Sequence, residues 1–267
     1  MLLVLGVAIG AFGTLIGAGG GSLLVPALLL LYPHEEPKVI TAVSLAVVFC
    51  NALSGTIAYH RQRRIDYASG WRFAAAVVPG AVLGALVTGW FHRTAFDLLF
   101  GTLMVAGAAY LLVWPTSGSS GSVRPGSTHR ILVDRAGTRY EYSFEMWVGA
   151  LASTGVGFVS SLLGIGGGII HVPALRRLLN FPTHVATATS HFLLVVMAGA
   201  GTLAHILAEH FHRGVRRTAL LGVGVIIGAQ IGAAISQHAR GRLIMRLLAV
   251  SLLFAGLWVL VGRALHP

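Results

Sequence analysis

An all-α polytopic membrane protein is the fold this sequence predicts, built from two homologous repeats. Each repeat opens on a glycine-broken helix or hairpin and adds about three further transmembrane helices. Three observations predict it. Of 267 residues, 55% are hydrophobic and only 10% charged, where soluble domains carry roughly 25% charge. Apolar runs close to the roughly 20 residues that cross hydrocarbon recur along the chain. Finally, residues 15–28, LIGAGGGSLLVPAL, return as residues 162–175, LLGIGGGIIHVPAL, with nine of fourteen positions identical.

The first apolar segment, 1–31, runs into Gly19, Gly20 and Gly21, where a helix loses its intrahelical partners. Its start has no basic region before the apolar run, so the sequence predicts no cleaved leader. Spans are predicted over 39–59, 73–91 and 95–114, closing a first repeat at residue 114. Residues 115–145 read as a polar linker, Ser/Gly/Pro-rich from Pro115 to Ser127 and expected to be exposed and cytoplasmic. The second repeat, 146–267, contributes runs at 146–163, 185–208, 215–237 and 243–262, with the second break at Gly166, Gly167 and Gly168.

The correspondence reaches beyond the glycines. Thr41-Ala-Val-Ser44 aligns with Thr187-Ala-Thr-Ser190, Gly55-Thr56 with Gly201-Thr202, and Gly80 and Gly84 with Gly228 and Gly232. If the broken segment crosses once, the copies are parallel and the 19 Lys and Arg residues divide 12 to 7. If it folds back, the copies are inverted and they divide 13 to 6. Both splits satisfy the positive-inside rule. Inversion is preferred because it carries two equivalent broken elements to the midplane and makes alternating access natural.

Net charge is +11, with arginines clustered at loops (Arg61, Arg63, Arg64 and Arg72; Arg124, Arg130, Arg135 and Arg139; Arg213, Arg216 and Arg217). That pattern suits lipid headgroups and not nucleic acid. The single Cys50 gives neither a disulfide nor a metal-ligand spacing. All eight acids, Glu35, Glu36, Asp66, Asp97, Asp134, Glu141, Glu145 and Glu209, fall at expected loops or helix ends. Without a mid-membrane carboxylate, a small anionic substrate is favoured over a cation. No catalytic triad spacing, metal cluster or nucleotide loop stands in the chain, so neither an enzyme nor a cofactor is expected.

Helix N-termini at the two breaks offer free N–H groups and a positive dipole end, a ready anion site. Gly19, Gly20, Gly21, Gly166, Gly167 and Gly168 are therefore the first substrate-binding candidates. Ser44, Asn51, Thr187, Thr189 and Ser190, with Thr41, add hydroxyl and amide groups just inside the following helices. Serine and threonine in membrane helices also bond their own backbone or join helices. His171, His191 and His205 stand where the first half has Leu24, Leu45 and Tyr59, and are the candidates for proton coupling. The first break thus has apolar neighbours and Ser22, while the second has His171. Gln230, opposite Val82, reads as a ligand or as interhelical glue.

The doubled Gly-x-Gly-Gly-Gly and Val-Pro-Ala-Leu, with Thr-Ala-x-Ser about twenty residues on, resembles the TauE/SafE family of sulfite exporters and toluene sulfonate uptake permeases. The resemblance implies a plasma-membrane transporter of sulfite, sulfonates or other small sulfur-containing anions. It places the family glycines at Gly17 and Gly19–Gly21 and at Gly164 and Gly166–Gly168, followed by Pro26 and Pro173. Two further readings are a non-transporting membrane scaffold or assembly factor, and a histidine-using cation or metal carrier.

Overall fold

The computed structural model describes residues 1–113, 127–208 and 215–265. The segment Pro115 to Gly126, with Arg124, and the residues Glu209 and Arg213 lie outside the described residues. The helices are α1 (Leu2–Ile16), α2 (Gly21–Leu31), α3 (Pro37–Arg61), α4 (Tyr67–Val87), α5 (Arg93–Val113), α6 (Met146–Leu163), α7 (Gly168–Arg177), α8 (Thr183–Leu207), α9 (Val215–His238) and α10 (Gly241–Leu265). Seven of them are long and apolar enough to cross a membrane. Large apolar side chains such as Ile226, Ile231, Phe254 and Leu257 face outward, as lipid-facing surfaces require. This is an all-α, multi-pass membrane protein.

Most helix ends fall within two or three residues of the apolar runs. The exception is α4, which begins at Tyr67, ahead of its apolar run, because the Asp66 side chain accepts the Ser69 N–H and caps it.

Each broken element folds back on itself. Gly20 packs back against Ile9 and Gly13 of α1, so the chain reverses after the break. Leu29, Pro33 and Glu35, at the end of α2 and just beyond, give their carbonyls to Arg93, and the Glu35 carboxylate meets Arg217 at 2.9 Å. Helix α1 runs parallel to α9, with Leu3 beside Gly224 and Ala11 beside Gly232. Both arms of α1–α2 therefore open toward the Glu35 end of the molecule. At the other end, Phe181, which follows α7, packs on Tyr142 and Phe144, which precede α6, with centroids 4.5 and 5.0 Å apart. Helices α6 and α7 accordingly open toward that opposite end. The isolated glycines serve packing, since methyl groups at Gly80, Gly84, Gly228 or Gly232 would overlap Thr154 O, Phe158 O, Val7 O and Ala11 O.

The stretch Thr128–Glu145, expected to be an exposed linker, is instead a docked β-hairpin. Strands β1 (Thr128–Val133) and β2 (Arg139–Phe144) pair antiparallel, and Tyr142 and Phe144 are buried against Phe73 and Phe181. The Asp134 carboxylate accepts from Arg64 Nε and Nη2 at 3.2 and 3.1 Å, and from the N–H groups of Ala136 and Thr138 at 2.9 Å. Tyr142 OH donates to Asp66 at 2.9 Å. Alternating side chains of opposite exposure explain the strands, and Gly137, at φ 84°, the turn.

Burial pushes the Asp134 carboxyl up, but the Thr138 N–H and the Arg64 guanidinium outweigh it and hold the group below the ordinary carboxylate range. A depressed value means that the docking is fully present above the unfolded carboxyl's pKa and is lost as pH falls through the folded one. Asp134→Ala leaves Arg64 buried without its carboxylate, a loss of about 3–5 kcal/mol for such pairs. Hydrogen exchange should show the hairpin amides deprotected and the helix amides unchanged. Equal protection in both proteins would contradict this role.

Candidate functional site

The two breaks meet at the centre of the molecule. Gly19 lies against Val48 and Leu194, and Gly166 against Val48, near the middle of the 25-residue helices α3 and α8. Gly17, Gly19 and Gly20 sit at φ 79°, 72° and 82°, and Gly164 and Gly166 at 66° and 63°, a left-handed region that side chains disfavour. Gly21 abuts Ile165 O, and Gly168 abuts Gly17 O and Ala18. Both tips are fully buried.

The break that ends α1 satisfies itself, with the N–H groups of Gly17, Ala18 and Gly19 donating to Thr14 O and Gly13 O at 2.8–3.1 Å. At the start of α2, Leu23 and Leu24 donate to Gly20 O. The N–H groups of Gly20, Gly21 and Ser22 are left without a backbone partner among the described residues, as the first turn of a helix dictates. Helix α7 repeats the pattern: Ile170 and His171 donate to Gly167 O, leaving the N–H of Ile169. The positive ends of α2 and α7 thus converge where the tips touch.

Several sequence-level candidates have other work. Ser44 Oγ donates to Gly164 O at 2.6 Å and Ser190 Oγ to Gly17 O at 3.2 Å, so each serine ties the tip of the other half. A hydroxyl has one hydrogen, and these two are committed to carbonyls. Thr187 donates to Thr183 O one turn back, and Thr189 accepts the Asp66 N–H. Gln230 donates to Ser54 O and Oγ at 2.8 Å and joins α9 to α3.

A compact polar cluster forms instead beside the first tip. Asn51 Oδ1 accepts from Thr14 Oγ1 at 3.2 Å, His191 Nε2 lies 3.3 Å from the same hydroxyl, and Tyr59 OH donates to Thr14 O at 2.7 Å. The Tyr59 and His191 rings meet edge-on at 5.3 Å. Gly55 makes the room, since a methyl there would stand 2.5 Å from His191 Cδ2. The other end of the Asn51 amide, Nδ2, is buried without a partner, as is Ser22 Oγ. Both are buried polar groups free to meet a ligand.

The second tip lacks this cluster. Gly201, aligned with Gly55, faces Leu45 and Ser161 where Gly55 faces His191 and Thr14. The first break, with apolar neighbours in the sequence, has a polar wall made by Thr14, Asn51 and Tyr59 of its own half, with His191 added from the other. His171 is buried in α7 near Gly167, with neither ring nitrogen bonded. His205 stands 14 residues beyond His191 in α8, about 21 Å at 1.5 Å per residue, and does not join them. Thr14, Tyr59 and Ser22, which were not among the sequence candidates, stand with these residues. Their only signal was a hydroxyl three residues before Gly17, and one just after Gly21. No three His, Cys, Asp or Glu side chains gather among the described residues, which gives a metal carrier no preformed ligand set there.

Residues 2–261 match the family model described as sulfite exporter TauE/SafE. The chain is similar to the probable membrane transporter protein YunE of Bacillus subtilis (strain 168), 33% identical over 262 residues, covering 96% of this chain and 95% of that one. A probable membrane transporter protein of Haemophilus influenzae is 26% identical over 85% of this chain and 79% of its own length. MJ0441, a probable membrane transporter protein of Methanocaldococcus jannaschii, is 24% identical over 98% and 95%. No solved structure matches the chain. A multi-pass helical membrane protein whose family model spans nearly its whole length, this chain belongs to the TauE/SafE sulfite exporter family.

Proposed function

We propose that this membrane transporter is a secondary carrier that exports a small sulfur-containing oxyanion, sulfite or a sulfonate, by alternating access. One observation carries the reading: the N-termini of α2 and α7, with N–H groups that lack a backbone partner, meet at the tips against Val48, where the Ser22 hydroxyl is unpartnered and Asn51, one turn beyond Val48 on α3, has an unpartnered amide nitrogen. Backbone N–H groups, Ser22 and Asn51 hold the oxyanion. Ser44 and Ser190 position the tips by binding their carbonyls, and Thr41, Thr187 and Thr189 line the helices that carry them. His191, bonded to Thr14, is the proton-coupling group, with His171 and His205 secondary.

The opposed fold-back elements support two inverted halves, 1–114 and 146–267, joined by 115–145. With the Arg-rich hairpin end cytoplasmic by the positive-inside rule, a negative interior drives an anion outward by about 2.3 kcal/mol per charge per 100 mV. Because both tips are fully buried, substrate reaches them only when the halves rock apart. Rocking changes the contacts of Gly21 with Ile165 and of Gly168 with Gly17.

Ligand-dependent stability tests the reading. A ligand that binds only the folded state stabilises by about 2.7 kcal/mol at one hundred times its Kd. Thermal unfolding with sulfite, sulfoacetate, taurine, thiosulfate or sulfate should therefore show a concentration-dependent rise with sulfite or a sulfonate. Curves that superimpose for all five would overturn the proposal.

A further inference from the structure

A cavity of about 460 Å³ lies between the ends of α3 and α9 and the turn of the hairpin, lined by Arg61, Arg64, Asp134, Arg135, Gln230 and Gln237 among others. We infer that it is a cytoplasmic antechamber for the anionic cargo, a site that collects an oxyanion before the glycine tips receive it. The inference rests on the anion reading above.

Charge is the first ground. Three guanidinium groups and one carboxylate line the cavity, and the carboxylate is already committed: Arg64 holds Asp134 Oδ2 from two nitrogens, and the N–H groups of Ala136 and Thr138 hold Oδ1. Arg61 and Arg135 have no anionic partner among the described residues. Two uncompensated guanidiniums on a shared concave wall raise the local concentration of anions, and each presents a flat donor fork that matches the oxygens of a sulfonate or sulfite.

Rigidity is the second ground. The Arg135 N–H donates to Gln62 O at 3.0 Å, Gln62 Nε2 to Ala233 O at 3.0 Å, and Arg64 Nη1 reaches Gln62 Oε1 at 3.4 Å. The hairpin turn is thereby fixed to α3 and α9, and Arg61 and Arg135 are carried on a built wall rather than on a free loop.

Its place relative to the tips is the third. Gln230 lines the cavity and bonds Ser54, which lies one turn beyond Asn51 on α3. The cavity and the polar cluster thus share α3: Ala58 lines the cavity beside Tyr59 of the cluster, and Gln230 reaches Ser54, one turn from Asn51. An anion gathered between Arg61 and Arg135 stands at the entrance that opens when α3 and α9 part.

Lipid phosphate shares this chemistry, so the experiment separates the two sources. Arg61→Gln/Arg135→Gln and wild type are purified in detergent, and sulfite and methanesulfonate binding is measured by calorimetry. Both proteins are then placed, oriented, in phosphatidylcholine vesicles with and without phosphatidylglycerol for flux assays. The expected result is at least about tenfold weaker binding in the double variant and a similarly raised KM for sulfite presented at the hairpin face. Vmax, and KM from the opposite face, should stay the same. Wild-type binding and KM in the variant would overturn the antechamber while leaving transport standing. Absence of flux in wild type, with anion binding that the double variant loses, would overturn the transport reading while leaving the anion site. A wild-type KM for sulfite at the hairpin face that rises to the double-variant value in phosphatidylglycerol vesicles alone would make a headgroup the occupant and overturn the cargo assignment.

Discussion

Asn51→Leu is expected to lower sulfite flux by about 10- to 100-fold while leaving the protein folded. A hydrogen bond to a charged group contributes about 1.5–3 kcal/mol, which is that range of rate or affinity. The folded state loses little. One end of the amide has no partner to lose, and the other gives up only Thr14 Oγ1. Leucine keeps the apolar packing between α1, α3 and α8, and it removes a buried polar group that costs free energy while the site is empty. The measurement pairs flux in proteoliposomes with thermal unfolding of the same preparation. Flux at the wild-type level in a folded Asn51→Leu protein would remove Asn51 from the site.

The second large effect is on the tips themselves. A methyl group at Gly21 would overlap Ile165 O, and one at Gly168 would overlap Gly17 O and approach Ala18 Cα at 2.6 Å. These neighbours are backbone, which cannot rotate aside, so Gly21→Ala and Gly168→Ala are each expected to cost about 1–3 kcal/mol or more by overpacking. Flux should fall as well, because the two N-termini are forced apart. Gly155→Ala is the control: nothing lies within 4 Å of the added carbon, and alanine in a helix is favoured over glycine by about 1 kcal/mol. Unfolding in a fixed detergent should rank Gly155→Ala at or above wild type and both tip variants below it. A ranking in which the tip variants unfold like wild type would mean that the breaks do not meet.

Much of the fold was legible because lipid simplifies it. Apolar runs near twenty residues located the long helices, and the triple glycines located both breaks, since nothing else in an apolar stretch interrupts a helix so sharply. Whether the broken segment crossed or returned was not legible. The deciding contacts, Gly20 against Ile9 and Gly13, depend on tertiary packing, and the basic residues divided almost equally for both topologies. The hairpin was half visible: Tyr140, Tyr142 and Phe144 alternate with Arg139, Glu141 and Ser143, Ile131-Leu-Val133 is a short apolar run rich in β-branched residues, and Asp134-Arg-Ala-Gly137 is turn chemistry. Its charge nevertheless made it read as exposed linker. Buried pairing of Arg64 with Asp134, seventy residues apart, could not be inferred from either residue alone.

The site was partly legible. The glycines, Asn51 and His191 lie around one centre. Ser44 and Ser190 had the right place, but sequence does not reveal where a hydroxyl hydrogen points, and the carbonyls of Gly164 and Gly17 take both. Thr14 was missed because a lone threonine in an apolar helix ordinarily bonds its own backbone. Tyr59, aligned with His205, was read only as the apolar counterpart of a histidine, yet its hydroxyl caps Thr14 O.

Potential-driven movement of labelled sulfite into and out of proteoliposomes tests the central claim most directly. The expected result is a saturable flux that requires the protein, reverses direction when the imposed potential is reversed, and is competed by sulfonates. A folded, reconstituted protein that moves none of these anions under either potential would contradict the assignment of the glycine tips as an oxyanion transport site.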